Sequence, residues 1–259
     1  MQPLSKLSLM ALARIRVLAS DIDDTITTAG RLPSSTLECF QALDAAGILV
    51  ALVTGRPAGW AQALASYLPA VKVVVAENGL VAFDAAGDRV DLGPPRDARF
   101  FTRLADDAIR VRDAYRLTVT PDDAFRLFER TFIRPGSFDA AALVASQKVV
   151  DADFEVMASS IHIHVRPSGW GKAEGLLAAL RPFSPEACAH PDESILFVGD
   201  SSNDRSLFAR LRNTSVGVRN VTKFLDELGD DLPAFVTDAE SARGFAELVH
   251  VLLGARSHT

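Results

Sequence analysis

Four short apolar runs along the chain stop abruptly on polar clusters. Residues 15–20 end at Asp21, 48–53 end at Thr54, 71–76 end at Glu77, and 194–198 end at Gly199-Asp200. Continuous apolar runs of this length predict strands buried on both faces. Between them the spacing becomes helical. Leu37, Phe40, Leu43 and Ala46 recur along 32–46, with Pro33 and Ser34 at the start and Gly47 at the end. Further helices are predicted over 57–68, 172–180, 202–211, 221–228 and 242–253, and short strands over 215–218 and 235–237. Strands alternating with helices predict a parallel sheet covered on both sides.

The rhythm changes near residue 80. Apolar stretches 80–83 and 89–92 flank Asp84-Ala85-Ala86-Gly87-Asp88 and predict a hairpin, and Gly93-Pro94-Pro95 marks a boundary. A long charged helix follows over 97–115. Strands are predicted over 117–120, 128–133, 154–157 and 161–165, with a helix over 138–149. The expected fold is α/β, a doubly wound, mostly parallel Rossmann-like sheet with an inserted α+β cap domain. Residues 1–82 and 167–259 form the core and 83–166 the cap.

The chain of 259 residues is long enough for such a plan, with 48% hydrophobic and 23% charged residues. A net charge of −6 argues against nucleic acid as a partner. Cys39 and Cys188 are too few for a disulfide framework and are expected to be free thiols. No apolar run approaches the ~20 residues that span a membrane. Residues 1–14 are expected to form a loose N-terminal extension, and the protein to be cytoplasmic, a monomer or homodimer.

Ligands of open parallel sheets bind beyond the carboxyl ends of the strands. The four polar clusters should therefore converge on one crevice. Asp21, Asp23, Asp200 and Asp204 cannot all stay charged together without a cation, and an all-oxygen set suits Mg²⁺. Lys172 and exposed loop amides supply positive charge for a phosphate. One carboxylate can attack phosphorus while a second protonates the leaving oxygen and then activates water. Lys172 opens a helix, where a cation is disfavoured, so its charge points to function.

Asp21-Ile22-Asp23-Asp24-Thr25, Thr54-Gly55-Arg56, Lys172 and Gly199-Asp200-Ser201-Ser202-Asn203-Asp204 resemble the four ordered motifs of the haloacid dehalogenase superfamily of phosphohydrolases. The insert between the second and third motifs resembles the branch with a large α/β cap. That branch includes sugar-phosphate, sucrose-phosphate, mannosyl-phosphoglycerate and phosphoglycolate phosphatases. Glu77-Asn78-Gly79 and Pro167 are similar to it as well. The resemblance implies that Asp21 is the nucleophile and that Asp23 is the general acid and base, with its carbonyl on magnesium. Thr54 would bind the phosphoryl group, and Lys172 would neutralise it and steady Asp21. Asp200 would bind Mg²⁺, Asp204 would hold a metal-bound water or the lysine, and Asn203 would support the loop. The amides of Ile22, Asp23 and Gly55 would cradle phosphate oxygens. Asp24 departs from the glycine found in many members.

The resemblance implies hydrolysis of a small phosphorylated metabolite. A phosphotransferase or mutase would use the same pair. A dehalogenase would not need the acidic metal set, and a phospho-accepting receiver domain would be half this length. Selectivity falls to the insert. His162 and His164 alternate with Ile161, Ile163 and Val165 on a strand leading toward Lys172, which makes His164 the nearer substrate contact. Arg126, Arg130 and Arg134 surround another predicted strand and are expected as surface charges; if one reaches inward, it is Arg130. Asn78 and Arg56 are further candidates at the site. Trp170, between Gly169 and Gly171, is expected at a hinge.

Overall fold

The computed structural model describes residues 1–93, 95–159 and 161–256. Among the described residues twelve strands form two sheets: β1 (Gln2–Pro3), β2 (Val17–Ser20), β3 (Leu49–Val53), β4 (Val71–Ala76), β5 (Val81–Asp84), β6 (Arg89–Asp91), β7 (Arg130–Ile133), β8 (Phe154–Ala158), β9 (His162–Pro167), β10 (Ile195–Gly199), β11 (Ser215–Gly217) and β12 (Phe235–Val236). The large sheet has the order β1-β12-β11-β10-β2-β3-β4-β5-β6, parallel as far as β4 and antiparallel beyond it. β2 lies between β3 and β10, so the chain reverses its direction of winding there. Such a reversal opens a crevice at the carboxyl ends.

Alternation along β2 shows why its run is apolar throughout. Val17 and Ala19 face a core that contains Leu176, Leu180 and Phe208. Leu18 faces the opposite core, with Phe40, Leu43 and Phe245. The helices Ser34–Ala45, Ala58–Tyr67 and Ser241–Arg256 cover one face, and Lys172–Leu180 and Arg205–Arg210 the other. Both strand faces being covered, only their ends are free to carry polar groups.

The second sheet has the order β7-β9-β8, fully antiparallel. Phe132, Phe154, Val156, Ile163 and Val165 pack with Leu104, Ala108 and Val111 of the helix Ala98–Tyr115. Asp97 caps that helix by accepting from the Phe100 amide at 2.9 Å. The hairpin β5–β6 belongs to the large sheet, so the second sheet's layer begins at Ala98 rather than at 83. Pro94, part of the expected boundary, lies outside the described residues. The stretch 117–120 makes only one bridge, Val119 to Phe132, where a strand was expected.

Residues 1–14 are not a loose extension. β1 pairs with β12, and Leu4, Leu7 and Leu12 are buried. Their apolar side chains join the core that contains Leu248 and Leu252. Arg256 closes the seam by donating to the carbonyls of Ala46 and Ile15 at 2.8 and 2.9 Å.

Candidate active site

Asp21 and Asp200 follow neighbouring strands, and the Asp21 amide donates to the Val198 carbonyl at 2.9 Å. Asp21, Asp200 and Asp204 each bring an oxygen within 4.8 Å of the others. Lys172 Nζ sits between two of them, 2.6 Å from Asp21 Oδ1 and 2.7 Å from Asp204 Oδ1. All four side chains are buried. The lysine reaches this point because its helix starts against the turn after β4. A Cβ at Gly79, itself at φ +105°, would overlap the Gly171 carbonyl, and one at Gly175 would overlap the Gly79 backbone, so only glycines allow this approach.

Burial pushes the Asp21 carboxyl up to about 8, with Lys172 opposing and Asp204 and Asp23 adding. Burial and Asp21 likewise raise Asp200 well above the usual carboxylate range. For Lys172, burial works against the charge, but Asp204 and Asp21 outweigh it and hold the ammonium above its ordinary value. Asp204 also orders the loop, accepting from the amides of Asp200 and Ser201 at 3.0 and 3.3 Å. Ser201 Oγ lies 3.0 Å from Asp200 Oδ1 and 2.9 Å from Asn203 Oδ1. Ser202 donates to Glu227 at 2.7 Å, and Ser201 occupies the N-cap position of the turn 202–204. Asn220 Nδ2 donates to Asp200 Oδ2 at 3.2 Å, a contact that sequence reasoning missed.

Asp23 lines the same cleft and is gripped by Arg56, whose Nε and Nη2 donate to its two oxygens at 2.8 and 2.7 Å. Arg56 stacks over Trp60 with 4.7 Å between guanidinium carbon and ring centroid. Thr54 is buried, and its Oγ1 accepts from the Arg56 amide at 3.0 Å. Ile22 is also buried, and Asp24 takes a positive φ of 54° that bends the loop after β2.

The second sheet roofs the site. Strand register pairs Thr131 with His164 and Ile133 with His162, which puts both histidines on one face. The cleft is lined by Asp21, Asp23, Gly55, Arg56, His162 and His164, with Asp200 and Asn203 at its floor. Arg130 is not there. It pairs with Val165 and shares the opposite face with Phe132, lining a hollow with Ile109 and Arg112. Strand alternation decides this, since Arg130 and Phe132 have the same parity. Arg126 is the inward cation instead. Its side chain is buried and donates to the Gly55 carbonyl at 2.8 Å and to Glu129. Asn78 does not line the cleft; its Nδ2 donates to Glu129 at 3.2 Å. Trp170 is a packing residue whose Nε1 donates to the Gly79 carbonyl at 2.8 Å.

Glu77 ties the layers together. It accepts from the amides of Leu127 and Phe128 at 2.8 and 2.7 Å and from Ala58 at 3.2 Å. Burial, with Glu129 adding, pushes its carboxyl up to about 7. The folded protein thus holds that proton more tightly than the unfolded chain. This contribution to stability is complete below about pH 4.3 and is lost as pH rises through about 7. Relative to Glu77→Gln, the parent is expected to lose about 2 kcal/mol between pH 5 and 8 in urea unfolding. A constant difference would show that Glu77 does not titrate there.

A fold with its crevice at the β2–β10 reversal, and an Asp–Lys–Asp triad beneath a roof, defines a class of phosphoryl-group enzymes. The sequence comparisons agree. A family model for haloacid dehalogenase-like hydrolases matches residues 18–91. A phosphoglycolate phosphatase of Halorubrum lacusprofundi is 31% identical over 214 residues, covering 82% of this chain and 88% of the relative. One from Aeropyrum pernix is 27% identical over 249 residues, covering 93% and 94%. A crystal structure from Thermoplasma acidophilum superposes with a TM-score of 0.71 at 22% identity, covering 92% of this chain and 99% of the other. The chain belongs to the haloacid dehalogenase-like hydrolases. It is a phosphoric monoester hydrolase.

Proposed function

We propose that the chain hydrolyses a small phosphomonoester, a sugar phosphate or phosphoglycolate-like acid, through an aspartyl-phosphate on Asp21 with Mg²⁺ as cofactor. The observation that carries this reading is the buried Lys172 bridging Asp21 and Asp204 beside Asp200. An Asp21 oxygen attacks phosphorus, the ester P–O bond breaks, and Asp23 gives its proton to the leaving oxygen. Asp23 then takes a proton from water, which attacks the acyl phosphate and frees Asp21 and inorganic phosphate. Lys172 and the amides of Ile22, Asp23 and Gly55 hold the phosphoryl oxygens, with Thr54 as a further donor. Arg56 must loosen its grip on Asp23 for that residue to carry a proton.

The donor set suits Mg²⁺. The cluster is carboxylate only among the described residues, and burial raises the pKa of Asp21 and Asp200, a shift that a bound cation would oppose. Asp21, Asp200, the Asp23 carbonyl and Asp204 would hold the ion. When bound, it neutralises charge on the transferring group. The insert from 98 to 166 acts as the cap over the core, which keeps the hairpin β5–β6 in its sheet. The relatives' names support a phosphorylated small acid among the substrates. No helix among the described residues is long and apolar enough to cross a membrane. The acidic net charge and the two free cysteines fit a cytoplasmic monomer or homodimer.

Inorganic phosphate release from a panel of phosphorylated metabolites tests the reading, with water as the expected acceptor. Phosphoryl transfer to added sugars instead would make it a phosphotransferase. EDTA is expected to lower turnover roughly hundredfold, with Mg²⁺ restoring it. Undiminished rates in EDTA would remove the metal from the scheme.

A further inference from the structure

Arg56 holds Asp23 through two of its three nitrogens, Nε and Nη2, so both Asp23 oxygens are occupied. The cleft here has a free volume of about 20 Å³, room for about one water. A phosphate ester therefore enters only if a lining side chain moves. Arg56 is one of those lining residues. Among the described residues its guanidinium makes no hydrogen bond except to Asp23.

The roof offers that guanidinium a second carboxylate. The Asp122 side chain is 14% exposed, and neither of its oxygens has a hydrogen-bond partner. Oδ2 lies 3.7 Å from Arg56 Nη1 and 3.8 Å from Arg126 Nη2. Both distances exceed a charged N–H···O bond by about 0.8 Å. A buried carboxylate without donors is costly, which favours a donor that moves in. The turn that carries Asp122 is fixed. The Asp123 amide donates to the Thr120 carbonyl at 3.1 Å, and its carboxylate accepts from the Thr131 amide at 2.8 Å. Arg126 is fixed as well, with Nη1 engaged by the Gly55 carbonyl at 2.8 Å and by Glu129. It braces Asp122 from the far side, and any closer contact between those two leaves Asp23 as it was. Arg56 is the partner whose movement changes the state of Asp23.

We propose that Asp122 is a positioning residue that draws Arg56 off Asp23 when substrate enters. Asp122 accepts from Arg56, and an Asp23 oxygen is left open toward the leaving group. Only hydrogen bonds are exchanged. The proposal rests on the phosphatase reading and extends it to the roof, whose carboxylate unmasks the acid–base residue of the core. Asp122 itself touches no substrate.

The test uses the full chain with Mg²⁺ and two aryl esters. p-Nitrophenolate departs without a proton, whereas the phenolate of phenyl phosphate needs one, so phenol release depends on a free Asp23. In the first turnover, Asp122→Asn is expected to slow phenol release about tenfold and p-nitrophenol release by less than about twofold. In an Arg56→Ala background the loss from Asp122→Asn should vanish, because no grip remains to be undone. No slowing, equal slowing of both esters, or the same loss without Arg56 would overturn the proposal. A crystal structure of the parent with vanadate reads the exchange without substitution. Arg56 is expected within hydrogen-bond distance of Asp122, and a guanidinium still bidentate on Asp23 would overturn the proposal. Absence of phosphate release from both esters by the parent would overturn the phosphatase reading and the proposal with it.

Discussion

Asp21→Asn is expected to lower kcat for p-nitrophenyl phosphate by about 10⁴-fold or more. The carboxamide has nearly the same shape and keeps an oxygen that accepts from Lys172, now 2.6 Å from the aspartate. It has no ionised oxygen to attack phosphorus. Packing should survive, because the substitution removes one of three carboxylates crowded within 4.8 Å. Thermal unfolding at an unchanged or slightly higher midpoint would separate lost chemistry from lost fold. Acid-quenched parent enzyme should hold covalent phosphate, and the variant none. Turnover retained in Asp21→Asn would place the nucleophile elsewhere.

Lys172→Met is expected to lower kcat by about 10³-fold and stability by about 3 kcal/mol. Removing one partner of a buried ion network strands the others. The cost falls at the low end of the usual range because Asp21, already pushed up to about 8, can take a proton instead. The sign with pH follows from the raised Lys172 pKa. Its stabilisation is complete below the unfolded ammonium value of about 10.4 and is lost only as pH rises past the folded one. The lysine's own contribution is flat from pH 6 to 9, and the gap between parent and variant should widen above about pH 8, where Asp21 ionises beside the lysine but stays protonated in its absence. Denaturant titrations across that range check it, and a gap absent at every pH would show that Lys172 is not structurally coupled.

Much of the site was legible because a doubly wound sheet leaves its strand ends as the places for polar groups. Asp21, Thr54, Glu77 and Asp200 each end an apolar run, and the chain order alone predicted their convergence. His164 was legible from alternation with Ile163 and Val165. Arg130 was misplaced because its charge was weighed and its parity with Phe132 was not. Glu129 was missed and Arg126 passed over, since a buried charge network has no periodic signature. Its members matter through partners as distant as Gly55, 71 positions away. The N-terminal residues read as a loose extension because their partners, in the C-terminal helix, lie over 200 positions away.

The sequence by itself determined the alternation of buried strands and helices, the position of the insert, and the identity of the acidic set with its lysine. These are local properties, carried by runs of apolar residues and the polar residues that stop them. Tertiary structure alone decided which cation faces inward, that Arg56 grips Asp23, and that Glu77 joins the two layers. It also decided that Asp122 stands between Arg56 and Arg126 with neither oxygen hydrogen-bonded. Those outcomes depend on strand register and on pairings across more than 30 residues, where a single step in register moves a side chain to the other face.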